Sequence, residues 1–173
     1  SREGRKGHRP LIQVLPDLLV QFPDVQLVFA GPGDDHVSLK RLAQEKKVAH
    51  AVFLPGQVSI EMLKSLYAQC YAFVMPSLQE GFGMAYLEAM NYGKPCVGCF
   101  KQGAEEIIVH GETGFLVQDP NDGCELAHAL SLLLSNPEEA RRMGENGFNR
   151  LCQLFTSRHY QDRIKQRILP LLN

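Results

Sequence analysis

The stretch PSLQEGFGMAYLEAM, residues 76–90, follows a short apolar run and carries a glycine-containing turn directly into a helical segment. Gly81 and Gly83 have no Cβ, so the backbone of the turn can come close to a ligand. The first turn of a helix presents backbone N–H groups that attract phosphate and other electron-rich oxygens. The stretch therefore predicts a strand, a binding turn and a helix, with the binding groups at the carboxyl end of the strand.

Two carboxylates accompany this turn. Glu80 directly precedes Gly81 at the start of the turn, and Glu88 lies about two helical turns further along the chain. Carboxylates accept hydrogen bonds well from paired hydroxyl groups. Because apolar residues surround Glu88, we expect an acid within a buried helix face, which needs a partner such as a ligand. The simpler interpretation is that Glu80 complements the helix dipole and Glu88 is a solvated surface charge.

On both sides of this stretch, short apolar runs alternate with longer amphipathic segments, which predicts an α/β fold with a parallel sheet covered by helices. The run 25–30 is almost continuously apolar, as expected of a strand buried on both faces. In the helix from Ser59 to Cys70, we expect Met62, Leu63 and Leu66 to point inward. The other predicted strands cover residues 51–54, 72–75, 95–98 and 115–117. The other predicted helices begin near Pro10, Leu39, Gly83 and Leu126, followed by a helical remainder that includes residues 158–169.

The order of these elements predicts where the first strand of the sheet lies. Doubly wound sheets place their first strand at the centre, whereas this chain opens with a loop and a helix. We therefore expect the central strand to lie upstream of Ser1. Strands 25–30 and 72–75 should then be separated rather than directly paired.

The composition of the chain narrows the classes of protein to which it could belong. The chain has 173 residues, 45% of them hydrophobic, and a formal charge of -1 at pH 7. This size suits a single domain, and the charge gives no electrostatic basis for binding nucleic acid. Apolar runs are all too short to cross a bilayer.

The five cysteines are an odd number without disulfide-framework spacing, which favours a reducing, cytoplasmic location. Cys96 and Cys99 match C-x-x-C, but they lie inside a strand and no second ligand pair accompanies them. We interpret them as buried structural thiols, and we predict no metal site.

Glu80 and Glu88 form an E-x7-E pair, and PSLQEGFGMAYLEAMNYGKPCV resembles the signature of the GT-B retaining glycosyltransferases of family four. The resemblance extends along the whole chain. Lys6-Gly7-His8 is similar to the family's turn before the first helix. The other matching segments are VQLVFAGPGD (25–34), AVFLPGQVSIEMLKSLYAQCYAFVMPS (51–77) and HGETGFLVQDPND (110–122).

The resemblance implies a Rossmann-like, doubly wound parallel sheet that forms one half of a GT-B fold and lacks its first, central strand. Residues 1–173 would be the C-terminal nucleotide-sugar-binding domain, and the N-terminal acceptor domain would lie outside this chain. Glu88 would bind the ribose hydroxyls, and Glu80 the donor sugar near its C3 hydroxyl. Lys6 would neutralise the diphosphate. The remaining donor-binding residues implied are Gly81, Phe82, Gly83, Gly31 and Gly33.

Two departures from the family pattern concern donor binding. The arginine that the family places shortly before the Lys-Gly-His turn is either replaced by Arg2 or Arg5 or lies upstream. In the segment 101–107, Gln102 and Glu105 interrupt the family's two glycines and Pro-Glu pair, while Glu106 aligns with the family Glu. This segment would influence which nucleotide sugar the protein binds as donor.

The implied activity is transfer of a sugar from a nucleotide diphosphate sugar to an acceptor sugar, lipid or small molecule, with retention of configuration. No cofactor or metal is implied, and any peripheral membrane contact would run through the missing domain. The alternatives are a nucleotide-sugar epimerase of the same fold and a non-catalytic nucleotide-sugar-binding module.

Overall fold

The computed structural model describes residues 6–32, 35–78, 82–100 and 103–155. Within these ranges helices and strands alternate in one α/β arrangement. The strands are β1 (Leu27–Ala30), β2 (Val52–Gly56), β3 (Phe73–Val74), β4 (Cys96–Cys99) and β5 (Gly114–Val117). The helices are α1 (His8–Gln21), α2 (His36–Glu45), α3 (Ile60–Gln69), α4 (Met84–Asn91), α5 (Gly103–Ile107), α6 (Gly123–Ser135) and α7 (Pro137–Leu154), with a 3-10 turn at Ala49–Ala51.

Side-chain caps account for several helix starts. The Ser59 hydroxyl accepts a hydrogen bond from the Met62 N–H, so α3 begins at the predicted residue. Asp122 accepts from Cys124 and Glu125 at the start of α6. The predicted elements in the described ranges are confirmed to within a few residues. Helix α5 was not predicted, and residues 158–169 lie outside the described ranges.

The strands form two parallel sheets. One has the order β1-β2 and the other the order β3-β4-β5. Among the described residues β1 pairs only with β2, and β3 only with β4. The expectation that strands 25–30 and 72–75 would not pair directly is therefore confirmed.

Helix α1 packs against both sheets and joins them. Leu11, Val14 and Leu18 contact the core that contains β4, β5 and α6. Ile12 and Leu15, on the neighbouring helix face, contact a second core with α2 and β2. Pro16 lies inside this helix, which continues to Gln21. One helix therefore holds the two sheets side by side.

Two burial predictions are wrong, one in β1 and one in α3. Leu27 and Phe29 pack towards α1 and α2, but Val28 is 45% exposed. Because strand side chains alternate between faces, only one face of β1 is covered by described residues. Met62 is 53% exposed rather than inward, and α3 has no fully buried side chain.

The two thiols of the C-x-x-C segment are buried and unbridged, as predicted. Cys99 packs in the core with α1 and α6, whereas Cys96 packs in the core with α4 and α5. They therefore lie on opposite faces of β4. This arrangement prevents them from bonding to each other or to one metal ion.

Candidate functional site at the carboxyl edge of the sheets

The Lys6-Gly7-His8 turn lies at the carboxyl ends of strands from both sheets. Gly7 caps α1 with φ 79, and a Cβ added to it would lie 2.5 Å from the Pro76 carbonyl oxygen, just after β3. The His8 ring lies 4.8 Å from the ring of Phe29 in β1. The turn therefore spans the space between the two sheets at their carboxyl edge, where ligands bind in open α/β sheets.

Further contacts hold the β1 side of this edge. The Arg9 guanidinium donates to the Ser38 hydroxyl of α2 at 2.6 Å. The Gly31 N–H donates to the Gly56 carbonyl at 2.8 Å, so the turn after β1 is joined to the end of β2. Gly31 has φ 138, a conformation that favours glycine, and a Cβ there would meet none of the described atoms within 4 Å. Among the described residues, the space beside the end of β1 is therefore open at this glycine.

The start of α4 is held against the end of β3 by Tyr86. Gly83 caps the helix with φ 78, and a Cβ on it would lie 2.9 Å from the Tyr86 ring. Tyr86 is fully buried, and its hydroxyl donates to the Met75 carbonyl. Phe82 and Met84, on either side of Gly83, are exposed. The first turn of α4 is therefore fixed in position while its neighbours face solvent.

Helices α1 and α4 begin differently from α3, α6 and α7. Both have a left-handed glycine as N-cap, which offers no side chain to their first-turn N–H groups, and neither has an acid in the first turn. In contrast, α3, α6 and α7 each have a capping side chain and an acidic first turn. Neither an N-cap side chain nor a first-turn acid would therefore compete with an external anion at the start of α1 or α4, and α2 likewise has no side-chain cap hydrogen bond and no acid in its first turn.

Glu88 was predicted to be an acid within a buried helix face, and that prediction is wrong. The residues around it in the chain, Tyr86, Leu87, Ala89 and Met90, are buried, but Glu88 itself is exposed. It lies one turn after the exposed Met84, so the two share the outer face of α4. Its Oε2 accepts a hydrogen bond from the Tyr67 hydroxyl of α3 at 2.9 Å.

The predicted site residues divide into two groups. Lys6, Gly31, Phe82, Gly83 and Glu88 are described, and Lys6 is exposed beside the buried Gly7. Glu80, Gly81 and Gly33 lie outside the described residues, as do Arg2, Arg5 and Gln102.

Glu106 lies on α5, where the Arg150 guanidinium donates to the carbonyls of Glu106 and Ile107, each at 2.9 Å. These bonds tie α7 to the end of α5.

His110 has a structural role in the described part of the chain. Its Nδ1 accepts from the Leu116 N–H at 3.1 Å, and its ring stacks on Phe100. Both contacts hold the turn before β5.

Sequence reasoning missed Tyr67. Its ring lies 5.8 Å from the rings of both Phe73 and Tyr92, stacked on the latter, and its hydroxyl reaches Glu88. Burial, followed by the nearby Glu88 carboxylate, raises the pKa of Tyr67 well above its usual value. The one sequence signal is that Tyr67 follows Leu63 and Leu66 on the same helix stripe.

The fold and this edge define a Rossmann-like α/β domain with helix N-termini gathered at the carboxyl ends of its strands. Residues 1–150 match the family model described as glycosyl transferases group 1. The chain belongs to this family.

The chain is similar to two named sugar transferases. It is 36% identical over 151 residues to a GDP-mannose-dependent alpha-(1-6)-phosphatidylinositol monomannoside mannosyltransferase of Mycolicibacterium smegmatis, covering 83% of this chain and 39% of that protein. It is 35% identical over 149 residues to a D-rhamnosyltransferase of Pseudomonas aeruginosa, covering 84% and 38%. The chain therefore spans about two fifths of the length of these curated relatives.

Solved structures show the same fold. Sucrose-phosphate synthase from Thermosynechococcus elongatus superimposes with a TM-score of 0.83 at 30% identity, over 98% of this chain and 43% of that one. Anabaena HepE in complex with UDP gives 0.84 at 25% identity, over 96% and 46%. The C-terminal domain of a group 1 glycosyltransferase from Francisella tularensis gives 0.80 at 26% identity, over 90% and 82%. The fold is that of a GT-B glycosyltransferase C-terminal domain.

Proposed function

We propose that residues 1–173 form the donor-binding domain of a retaining glycosyltransferase that takes a nucleotide diphosphate sugar. The observation that carries the proposal is the contact of Gly7 with Pro76. It places the start of α1, with Lys6, beside the segment that leads to Glu80 and to the start of α4. A cation and two helix N-termini at one edge suit a diphosphate. The UDP bound to the Anabaena relative supports a nucleotide as the ligand.

Each residue then has a separate task. Lys6 and the first turns of α1 and α4 face the diphosphate, which becomes the leaving group. Stabilising the charge that develops on it lowers the barrier to transfer without a covalent role for the protein. Glu88 holds the ribose, and Glu80 with the backbone of Gly81, Phe82 and Gly83 holds the sugar. Gly31 and Gly33 have no side chains, so the backbone of the loop after β1 can come close to the ligand.

The acceptor completes the proposal. We propose that a sugar, lipid or small-molecule acceptor binds to a second, N-terminal domain outside these residues, so that transfer takes place in the cleft between the two. Configuration is retained, and no cofactor or metal takes part. Any peripheral membrane contact would run through that second domain.

All five cysteines are free, which supports a reducing, cytoplasmic location. None of the described helices is both long and apolar enough to span a bilayer.

Calorimetry tests donor binding. The protein is titrated with UDP, GDP and ADP and with the uncharged nucleosides, and Lys6→Met is compared with Lys64→Met, an exposed lysine on α3. We expect Lys6→Met to weaken the preferred diphosphate about tenfold, as for a charged hydrogen-bond partner, and to leave the nucleoside unchanged. Lys64→Met should change neither. Equal losses for both variants, or no binding by any of the three diphosphates, would contradict the proposal.

Turnover separates the enzyme from a binding module. The complete protein, with any upstream domain, is incubated with the sugar form of the preferred nucleotide, and nucleotide release is followed. Slow hydrolysis that increases with an acceptor supports a transferase. Tight binding without release would favour the non-catalytic module.

A further inference from the structure

We propose that Tyr67 is a positioning residue for the ribose-binding carboxylate: its hydroxyl, held from α3, orients Glu88 so that the other carboxylate oxygen faces the two ribose hydroxyls. This inference rests on the proposed function and adds a specific residue to it. It starts from the hydrogen bond between Tyr67 and Glu88 Oε2 at 2.9 Å. The two residues are 21 positions apart in the chain and lie on different helices.

An exposed glutamate on a helix is ordinarily free to sample several rotamers. Ordering such a side chain on binding costs entropy, which a carboxylate held in advance does not lose. The hydrogen bond from the Tyr67 hydroxyl orients the Glu88 carboxylate without blocking ligand binding, because a carboxylate has about four lone-pair positions. One of them, on Oε2, is taken by Tyr67, and the rest remain for the ligand.

The hold is effective because the Tyr67 ring is itself fixed. It contacts Phe73 of β3 and Tyr92 after α4, with ring centroids 5.8 Å away in both cases. The stacking on Tyr92 is nearly parallel, at 15°. An aromatic ring has only two side-chain torsions, so these contacts fix the place of the hydroxyl. The carboxylate of α4 is therefore aligned by a side chain that the sheet supports.

A purely structural tie between α3 and α4 would have the same geometry, and the nucleotide itself distinguishes the two roles. A positioning role affects only ligands with ribose hydroxyls. A structural role affects every ligand alike. The comparison is therefore between each of UDP, GDP and ADP and its 2′,3′-dideoxy counterpart.

The experiment measures these affinities for the wild-type protein, Tyr67→Phe, Glu88→Ala and the double variant. The control is Tyr71→Phe, which also loses one tyrosine hydroxyl hydrogen bond, in this case to the Leu133 carbonyl at 2.7 Å. Tyr67→Phe keeps the ring and its stacking, and thermal melting checks that the variant is folded. We expect Tyr67→Phe to weaken the preferred diphosphate about three- to tenfold and to leave its dideoxy counterpart unchanged. In the double variant, Tyr67→Phe should add nothing to Glu88→Ala.

Each other outcome identifies what has failed. If Glu88→Ala weakens only the ribose-bearing nucleotide while Tyr67→Phe weakens both nucleotides equally or neither, the positioning role is overturned and the proposed function stands. If Glu88→Ala itself does not distinguish the two nucleotides, the ribose role of Glu88 is overturned and the inference with it. A loss for Tyr71→Phe equal to that for Tyr67→Phe would also overturn the inference.

Discussion

Gly7 lies directly against Pro76, so that a Cβ on Gly7 would stand 2.5 Å from the Pro76 carbonyl oxygen. Their close approach joins the start of the first helix to the end of β3. It is possible only because residue 7 has no side chain and can adopt φ 79.

Replacing Gly7 by alanine should therefore damage both stability and binding. A left-handed conformation costs an L-residue about 1–2 kcal/mol, and the clash with a backbone atom adds to this. We expect a lower free energy of unfolding in urea and weaker diphosphate binding by calorimetry. Unchanged diphosphate affinity in folded Gly7→Ala would show that the Lys6 turn is not part of the site.

The two carboxylates should separate nucleotide binding from sugar recognition. Glu88→Ala should weaken nucleoside diphosphate binding by about 1–3 kcal/mol, the loss expected for a charged hydrogen-bond partner. Glu80→Ala should reduce discrimination among donor sugars and leave free nucleotide affinity nearly unchanged. Calorimetry with the diphosphate and with several of its sugar forms measures both. Equal effects of the two substitutions on the free diphosphate would refute this division.

Removing the side-chain cap of α6 should lower stability without changing the proposed binding site, so it serves as a control. Asp122 accepts hydrogen bonds from two backbone N–H groups at 3.0 and 3.1 Å. Asp122→Ala should lower the free energy of unfolding by about 1 kcal/mol. Diphosphate affinity should not change, since α6 begins at Gly123 and Asp122 has no role in the proposed site. A large loss of affinity would mean that binding responds to general destabilisation, and the Gly7→Ala result would need the same interpretation.

The thiols should differ sharply in reactivity. Cys124 and Cys152 are exposed, whereas Cys96 and Cys99 are buried. Burial raises the pKa of both buried thiols, which further lowers the fraction of reactive thiolate. Iodoacetamide at neutral pH should therefore label Cys124 and Cys152 in the native protein, and Cys96 and Cys99 only after unfolding. Mass spectrometry of the labelled peptides checks this, and rapid native labelling of Cys96 would contradict the packing of β4.

Stability should fall in alkaline solution. Burial raises the pKa of both Cys96 and Tyr67 in the folded state. Below about pH 8.5, the ordinary pKa of a thiol, folded and unfolded Cys96 both keep the proton and the stabilisation is complete. Above it, only the unfolded chain loses the proton, so the free energy of unfolding decreases as pH rises. Urea unfolding at pH 8, 9 and 10 measures the slope.

The matched variant for this slope is Cys96→Ala. It starts less stable because it leaves a small cavity, but its stability should fall less steeply with pH. A slope identical to that of the wild-type protein would assign the alkaline loss to other groups.

Local signals explain which elements were predictable. Ser59 with Glu61 marks the start of α3, and Asn136-Pro137 separates α6 from α7. These signals act within a few residues of chain, so they do not depend on the rest of the fold. Helix α5 was missed because its five residues are too few for a periodic pattern, and its end is held by Arg150 from α7.

Burial of individual side chains was less predictable. Val28 lies in an apolar run and is nevertheless exposed on one face, because nothing in the described chain covers that side of β1. Met62 was expected to point inward and is also exposed, and α3 has no fully buried side chain. The sequence pattern of a segment shows which of its faces are apolar, but it does not show which of those faces are covered by another helix or strand.

The sequence by itself determined the alternation of strands and helices, the separation of strands 25–30 and 72–75, and the family signature around Glu80 and Glu88. The elements and the signature follow from short-range periodicity, caps and motif spacing, whereas the separation of the two strands follows from the strand order of doubly wound sheets. Only the tertiary structure decided that Gly7 meets Pro76, that α1 joins the two sheets, and that Tyr67 holds the exposed Glu88. The Tyr67–Glu88 contact joins residues 21 positions apart, and Gly7 and Pro76 are still further apart in the chain. Such pairs are selected by the packing of whole helices and sheets, which no local pattern specifies.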